Sequence, residues 1–89
     1  MDKMLQDVEE IVKEAQKCCD DRHHVIRGGK IDRWCGALTK SLNEPEISIE
    51  LRKKGKGLIT VLENYKRQKS SVPPKHLLGM ANAVLAAMG

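Results

Sequence analysis

From Met4 onward, apolar side chains recur at intervals of three and four: Met4, Leu5, Val8, Ile11, Val12, Ala15, and then Cys18 or Cys19, with Glu, Asp and Lys filling the gaps. At 3.6 residues per turn these positions form one stripe of a helix, and that stripe must be covered by another apolar surface. The spacing predicts a first helix over about residues 2–20. Nowhere in the 89 residues does a period of two persist, and no internal repeat or low-complexity tract divides the chain. The expected class is therefore all-α, in one domain spanning residues 1–89 that is expected to belong to a larger protein.

The next segment, DDRHHVIRGG, breaks the period, and Gly28-Gly29 is expected to give a loop its backbone freedom. A second stripe of Ile31, Trp34, Cys35, Leu38 and Leu42 predicts a helix over about 30–43, closed by Asn43-Glu44-Pro45 because the residue before proline is pushed out of the helical region. Ser48 then caps an expected short helix that ends in Arg52-Lys53-Lys54 before Gly55. The pattern resumes with Leu58, Ile59, Val61, Leu62 and Tyr65 and ends near Arg67 or Gln68. After Val72-Pro73, Pro74 suits the first turn of a last helix whose HLLGMANAVLAAM run is apolar on nearly every side. Four main helices and one short one result. The last helix is expected to sit centrally in the bundle or to cover a partner's surface.

A core without Phe and with only Trp34 and Tyr65 as aromatics must be filled by aliphatic residues, as in small helical bundles. The net charge of +4 is uneven: residues 1–21 carry seven acidic against three basic side chains, and residues 22–89 carry five acidic against thirteen basic ones. Three cysteines, two of them adjacent, and no run of about 20 apolar residues fit a reduced intracellular chain without a membrane span.

Spacing decides among several candidate chemistries. CCDDRHH (18–24) brings two thiols and two imidazoles together, but adjacent cysteines and adjacent histidines cannot easily reach one tetrahedral ion, so no metal is expected; a helix end with one buried Cys and solvated histidines is the simpler reading. No nucleophile, base and orienting group can be assembled from the motifs, so neither an enzyme nor a cofactor is expected. RKKGKG (52–57) lacks the G-x-x-x-x-G-K-[ST] spacing of a phosphate loop. Its Arg52, Lys53, Lys54 and Lys56 are nonetheless candidate contacts for nucleic acid, although Trp34 and Tyr65 occupy core positions and leave no stacking platform.

IDRWCGAL (31–38) followed by ISIELRKKGKGLITVLENYKRQK (47–69) resembles the integrase-binding domains of the lens epithelium-derived growth factor type. More distantly, it resembles the N-terminal domain of transcription elongation factor S-II. About two thirds of the chain is covered, through the order and spacing of an Arg before the helix 2 core, a capped helix at ISIEL, an I-T-x-L run and the basic pair Lys66-Arg67. The resemblance implies a compact right-handed bundle that docks short linear motifs across two neighbouring inter-helical loops. Those loops correspond here to Ile26 and Arg27, and to Lys66, Arg67 and Gln68, with Tyr65 and Lys69 flanking the second. It also implies a nuclear protein of transcription elongation or chromatin, whose partners are disordered segments of similar proteins. Arg27 stands where integrase-binding members carry an acid and Gln68 where they carry Phe, so a more acidic motif than that of retroviral integrase is expected.

The expected function is thus a monomeric docking module for acidic, aromatic-containing peptides. Weak nucleic-acid contact through 52–56 and oligomerisation through the apolar helix 77–88 are the alternatives.

Overall fold

The computed structural model describes residues 2–88 and contains four α-helices and one turn of 3-10 helix: α1 (Asp2–Asp20), α2 (Gly28–Leu42), α3 (Ile49–Arg67), η1 (Lys69–Ser71) and α4 (Pro74–Met88). Among the described residues there is no strand. The all-α expectation is met. Each long helix packs against two neighbours, in the cycle α1–α2–α3–α4 and back to α1, and α4 makes the most extensive packing, against α1 and α3.

The stripe on α1 buries Met4, Val8, Ile11, Ala15 and Cys18. It meets Ile31, Trp34 and Leu38 of α2, Leu58 and Leu62 of α3, and Leu77, Ala81 and Val84 of α4 in one core. The indole N–H of the fully buried Trp34 donates to Glu10 Oε1 at 2.7 Å, so the largest core side chain keeps its polar atom satisfied at the bundle edge. None of the large apolar residues of α4 is exposed: Leu78, Met80, Leu85 and Met88 are half-buried against the core. The run that suggested a sticky outer face is consumed within the bundle.

Two expectations are corrected. Gly28 and Gly29 do not form the loop; they are the first turn of α2, and neither has positive φ. Nothing in the packing requires glycine there, since a Cβ at Gly28 would meet only Lys66 at ordinary distance and one at Gly29 would meet nothing.

The second correction concerns the short helix before Gly55, which does not exist as a separate element. Ser48 does cap as expected, its hydroxyl accepting from Leu51 N at 3.1 Å, but the helix then runs unbroken to Arg67. Gly55 is buried beneath Leu42, and a Cβ at that position would lie 2.6 Å from Leu42 Cδ1. Gly57 similarly faces Met80, 2.9 Å from where its Cβ would be. Gly55 lets α2 approach α3, whereas Gly57 meets only the flexible end of Met80; neither glycine ends the helix. Tertiary packing outweighs their unfavourable helix propensity of about 1 kcal/mol each. The one short helical element lies instead at η1, after α3.

Candidate functional site

The loop after α1 and the connection between α3 and α4 lie side by side. Buried Ile26 donates its backbone N–H to the buried Tyr65 hydroxyl at 3.2 Å. Burial pushes the Tyr65 phenol above its ordinary pKa, the Ile26 hydrogen bond notwithstanding, so it stays a neutral hydroxyl at physiological pH. A loop N–H buried without a partner would cost about 1 to 3 kcal/mol, which makes this bond a clasp between two chain segments distant in sequence.

The first loop has a second anchor in Glu14, a buried residue of α1. Its carboxylate meets His24 Nε2 at 3.1 Å, Lys17 Nζ at 3.4 Å and Lys30 Nζ at 3.8 Å. Burial opposes the charge on Glu14, but hydrogen bonds from His24 and Lys17 and the charges of Lys30 and Lys17 outweigh it and hold the pKa below its ordinary value. His24 is therefore not a solvated helix-end histidine; it ties the loop to α1. The Cys18 thiol donates to His24 O at 3.6 Å, and burial raises its pKa, so it is a packed thiol and not an activated nucleophile.

Between these two tethered segments lies an open cleft of about 550 Å³. Tyr65, Val72, Pro73 and Pro74 supply apolar lining, Cys18 and His24 line it from α1 and the loop after it, and Arg22, Lys69 and Ser70 add polar lining. Arg22 and Lys69 are exposed and form no ion pair among the described residues. The two prolines set one wall in a conformation fixed before any ligand arrives.

The residues expected to touch a partner divide three ways. Tyr65 and Lys69 line this cleft. Lys66 and Arg67 line a second cleft of about 540 Å³ with Ile31, Asp32, Cys35 and Glu63, between α2 and α3. There Lys66 Nζ is paired with Asp32 Oδ1 at 2.6 Å, and Arg67 bonds to Asn64. Arg27 and Gln68 are exposed and line neither cleft, while Ile26 is buried and reaches the surface nowhere; it acts through its clasp to Tyr65. Arg22, His24 and the proline wall were missing from the sequence reading. The only prior signals for them were the charge of Arg22 in an irregular segment and the rigidity of the Pro-Pro pair.

At the other end of α3 the basic run has a structural task. Arg52 Nε donates to Leu42 O and its Nη2 to Glu44 O, each at 3.1 Å, closing the carbonyls at the end of α2. Lys54 pairs with Glu50 at 3.0 Å. Only Lys53 and Lys56 of this group are exposed and outside the ion pairs. Among the described residues no three of His, Cys, Asp and Glu converge in a geometry that could hold a metal, and no helix is long and apolar enough to cross a membrane.

No family model, curated protein or solved structure matches this chain. The site is accordingly defined by its own geometry: a preformed, partly apolar cleft with cations in its lining, at one end of an all-α bundle.

Proposed function

We propose that this chain is a non-enzymatic docking domain that binds short acidic, aromatic-containing segments of disordered partners in the cleft between the α1–α2 loop and the α3–α4 connection. The observation that carries the reading is the placement of Arg22 and Lys69, both free of internal ion pairs, in the lining of one cleft of about 550 Å³ shared with Tyr65, Val72 and Pro73. An aromatic side chain fits a recess of this size, and acidic neighbours find unengaged cations in its lining. Because both segments are tethered by Glu14 and Tyr65, the flexible partner bears most of the ordering loss, which suits an affinity on the order of micromolar. The resemblance to integrase-binding and elongation-factor domains supplies the cellular setting: a nuclear protein of transcription or chromatin, whose domain acts as a monomer.

The test is a titration with an acidic, phenylalanine-containing peptide while amide chemical shifts are recorded. Shifts at Arg22, Lys69, Ser70 and Val72 are expected, with smaller ones at Lys66 and Arg67. Silence there, with responses at Lys53 and Lys56 on adding DNA or RNA, would replace docking by nucleic-acid contact.

A further inference from the structure

Seven side chains carry hydroxyls: Thr39, Ser41, Ser48, Thr60, Tyr65, Ser70 and Ser71. Most are committed to the fold or lack a basic flank. Ser48 caps α3, Thr60 donates to Lys56 O at 3.1 Å, Tyr65 is buried, and Ser41 is half-buried. Ser71 is tied to Gln68 O twice, by its hydroxyl at 2.7 Å and by its backbone N–H at 3.0 Å. Thr39 is exposed but follows the apolar Gly36-Ala37-Leu38. Ser70 alone combines an exposed position, a hydroxyl with no hydrogen bond among the described residues, and a basic approach of Lys66, Arg67 and Lys69 on its N-terminal side.

We propose that Ser70 is a phosphoacceptor for a serine kinase whose substrate groove is acidic, and that its phosphate closes the cleft to acidic ligands. Lys66, Arg67 and Lys69 complement such a groove, and η1 is a single turn closed by the Ser71 N–Gln68 O bond and the Val72 N–Lys69 O bond at 3.3 Å, so it opens without unpacking a long helix. In the transfer, Ser70 Oγ attacks the γ-phosphorus of ATP. An O–P bond forms, the bridging bond to the β-phosphate breaks, ADP leaves, and the hydroxyl proton passes to the kinase's base. The product places a charge of about −1.5 to −2 in the cleft that Arg22 and Lys69 line. Those cations gain an internal partner, and an incoming carboxylate meets repulsion.

The effect on binding rests on the docking reading above; the acceptor assignment does not. The experiment treats the whole chain with ATP and a serine kinase selective for arginine three positions before the acceptor, and locates the phosphate by tandem mass spectrometry. One phosphate on Ser70, and none on Ser70→Ala, is expected. Fluorescence anisotropy with an acidic, phenylalanine-containing peptide should then show affinity falling on the order of tenfold upon phosphorylation. By phosphorus NMR the phosphate's second ionisation should lie below about 6 and return toward that value in Arg22→Ala. Transfer to Ser71 instead, no transfer, or a phosphate that titrates as in an unfolded peptide overturns the proposal. A chain that binds no acidic peptide before phosphorylation, yet carries an Arg22-sensitive phosphate on Ser70, refutes the docking reading and supports the acceptor.

Discussion

The two ends of α3 carry similar clusters of positive charge and use them differently. At the N-terminal end Arg52 is spent on the carbonyls of Leu42 and Glu44, and Lys54 on Glu50. At the C-terminal end, roughly 27 Å away along the helix axis, Lys66 is paired with Asp32 and Arg67 bonds to Asn64, while Lys69 of η1 and Arg22 of the α1–α2 loop stay unpaired and line the cleft beside Tyr65; Lys53 and Lys56, also outside the ion pairs, do not line it. A cation that closes a helix end is unavailable to a ligand; one left over a preformed cleft is available. Counting Lys and Arg along the sequence cannot separate these cases, whereas asking where each helix's orphan carbonyls find donors can.

The largest predicted effect tests whether both ends hang on one core. Leu62 of α3 is fully buried in the shared core, and Leu62→Ala should lower stability by about 2 to 5 kcal/mol in urea unfolding, with stability and peptide binding lost together. A variant that unfolds one end while the other keeps native amide shifts would show the ends to be independent. Next in size is Gly55→Val at the structural end. Its Cβ would crowd Leu42, which is 2% exposed, so a loss of about 1 to 3 kcal/mol is expected, with unchanged peptide affinity in the folded fraction. Unaltered or raised stability would mean that the close approach of α2 to α3 is not demanded.

These same residues show what the sequence could and could not reveal. The first helix was legible to the residue, because its apolar stripe is regular and its polar gaps are charged. Ser48, Pro74 and the burial of Trp34 were legible for similarly local reasons. The continuity of α3 was not: Gly55 and Gly57 look like a stop when only propensity is weighed, and the reason for glycine at 55, Leu42 pressing on the helix, lies in another helix. The resemblance pointed to residues of these two segments, and the structure joins the first loop to the end of α3 through the Ile26–Tyr65 bond, with Tyr65 and Lys69 in one cleft and Lys66 and Arg67 in another. Arg22 and His24 belong to a segment with no periodicity, and their place in the cleft lining depends on long-range tethers, His24 to Glu14 and Ile26 to Tyr65, that no local pattern announces.

Glu14 gives a pH-dependent way to loosen the docking end alone. Its folded-state pKa is depressed below the ordinary 4.5, so its contribution to stability is present above that value and is lost as pH falls through the folded pKa. Glu14→Gln should cost about 1 kcal/mol at neutral pH, and the deficit should shrink on acidification as the wild type loses the same interaction. Urea midpoints measured from about pH 7 to about pH 3 check the sign: a difference constant across that range would mean the carboxylate charge is not what holds His24 and the loop.

The smallest stability effects make the sharpest comparison, because they should separate the two properties completely. Arg52→Ala removes both donors to the end of α2 and should cost about 1 kcal/mol while leaving acidic-peptide affinity unchanged. Arg22→Glu with Lys69→Glu should do the reverse: stability within about 0.5 kcal/mol of wild type, since neither side chain holds an ion pair, and affinity reduced on the order of tenfold or more. Melting curves and anisotropy titrations on the two proteins form a crossed design. Arg52→Ala changes the net charge by one and the double reversal by four, so the matched control for charge is Lys53→Glu with Lys56→Glu, at positions that are exposed and lie outside the cleft. If that control weakens the peptide as much as the cleft reversal does, attraction is a property of total charge; if only the cleft reversal does, the ligand is reading the cations that line the cleft.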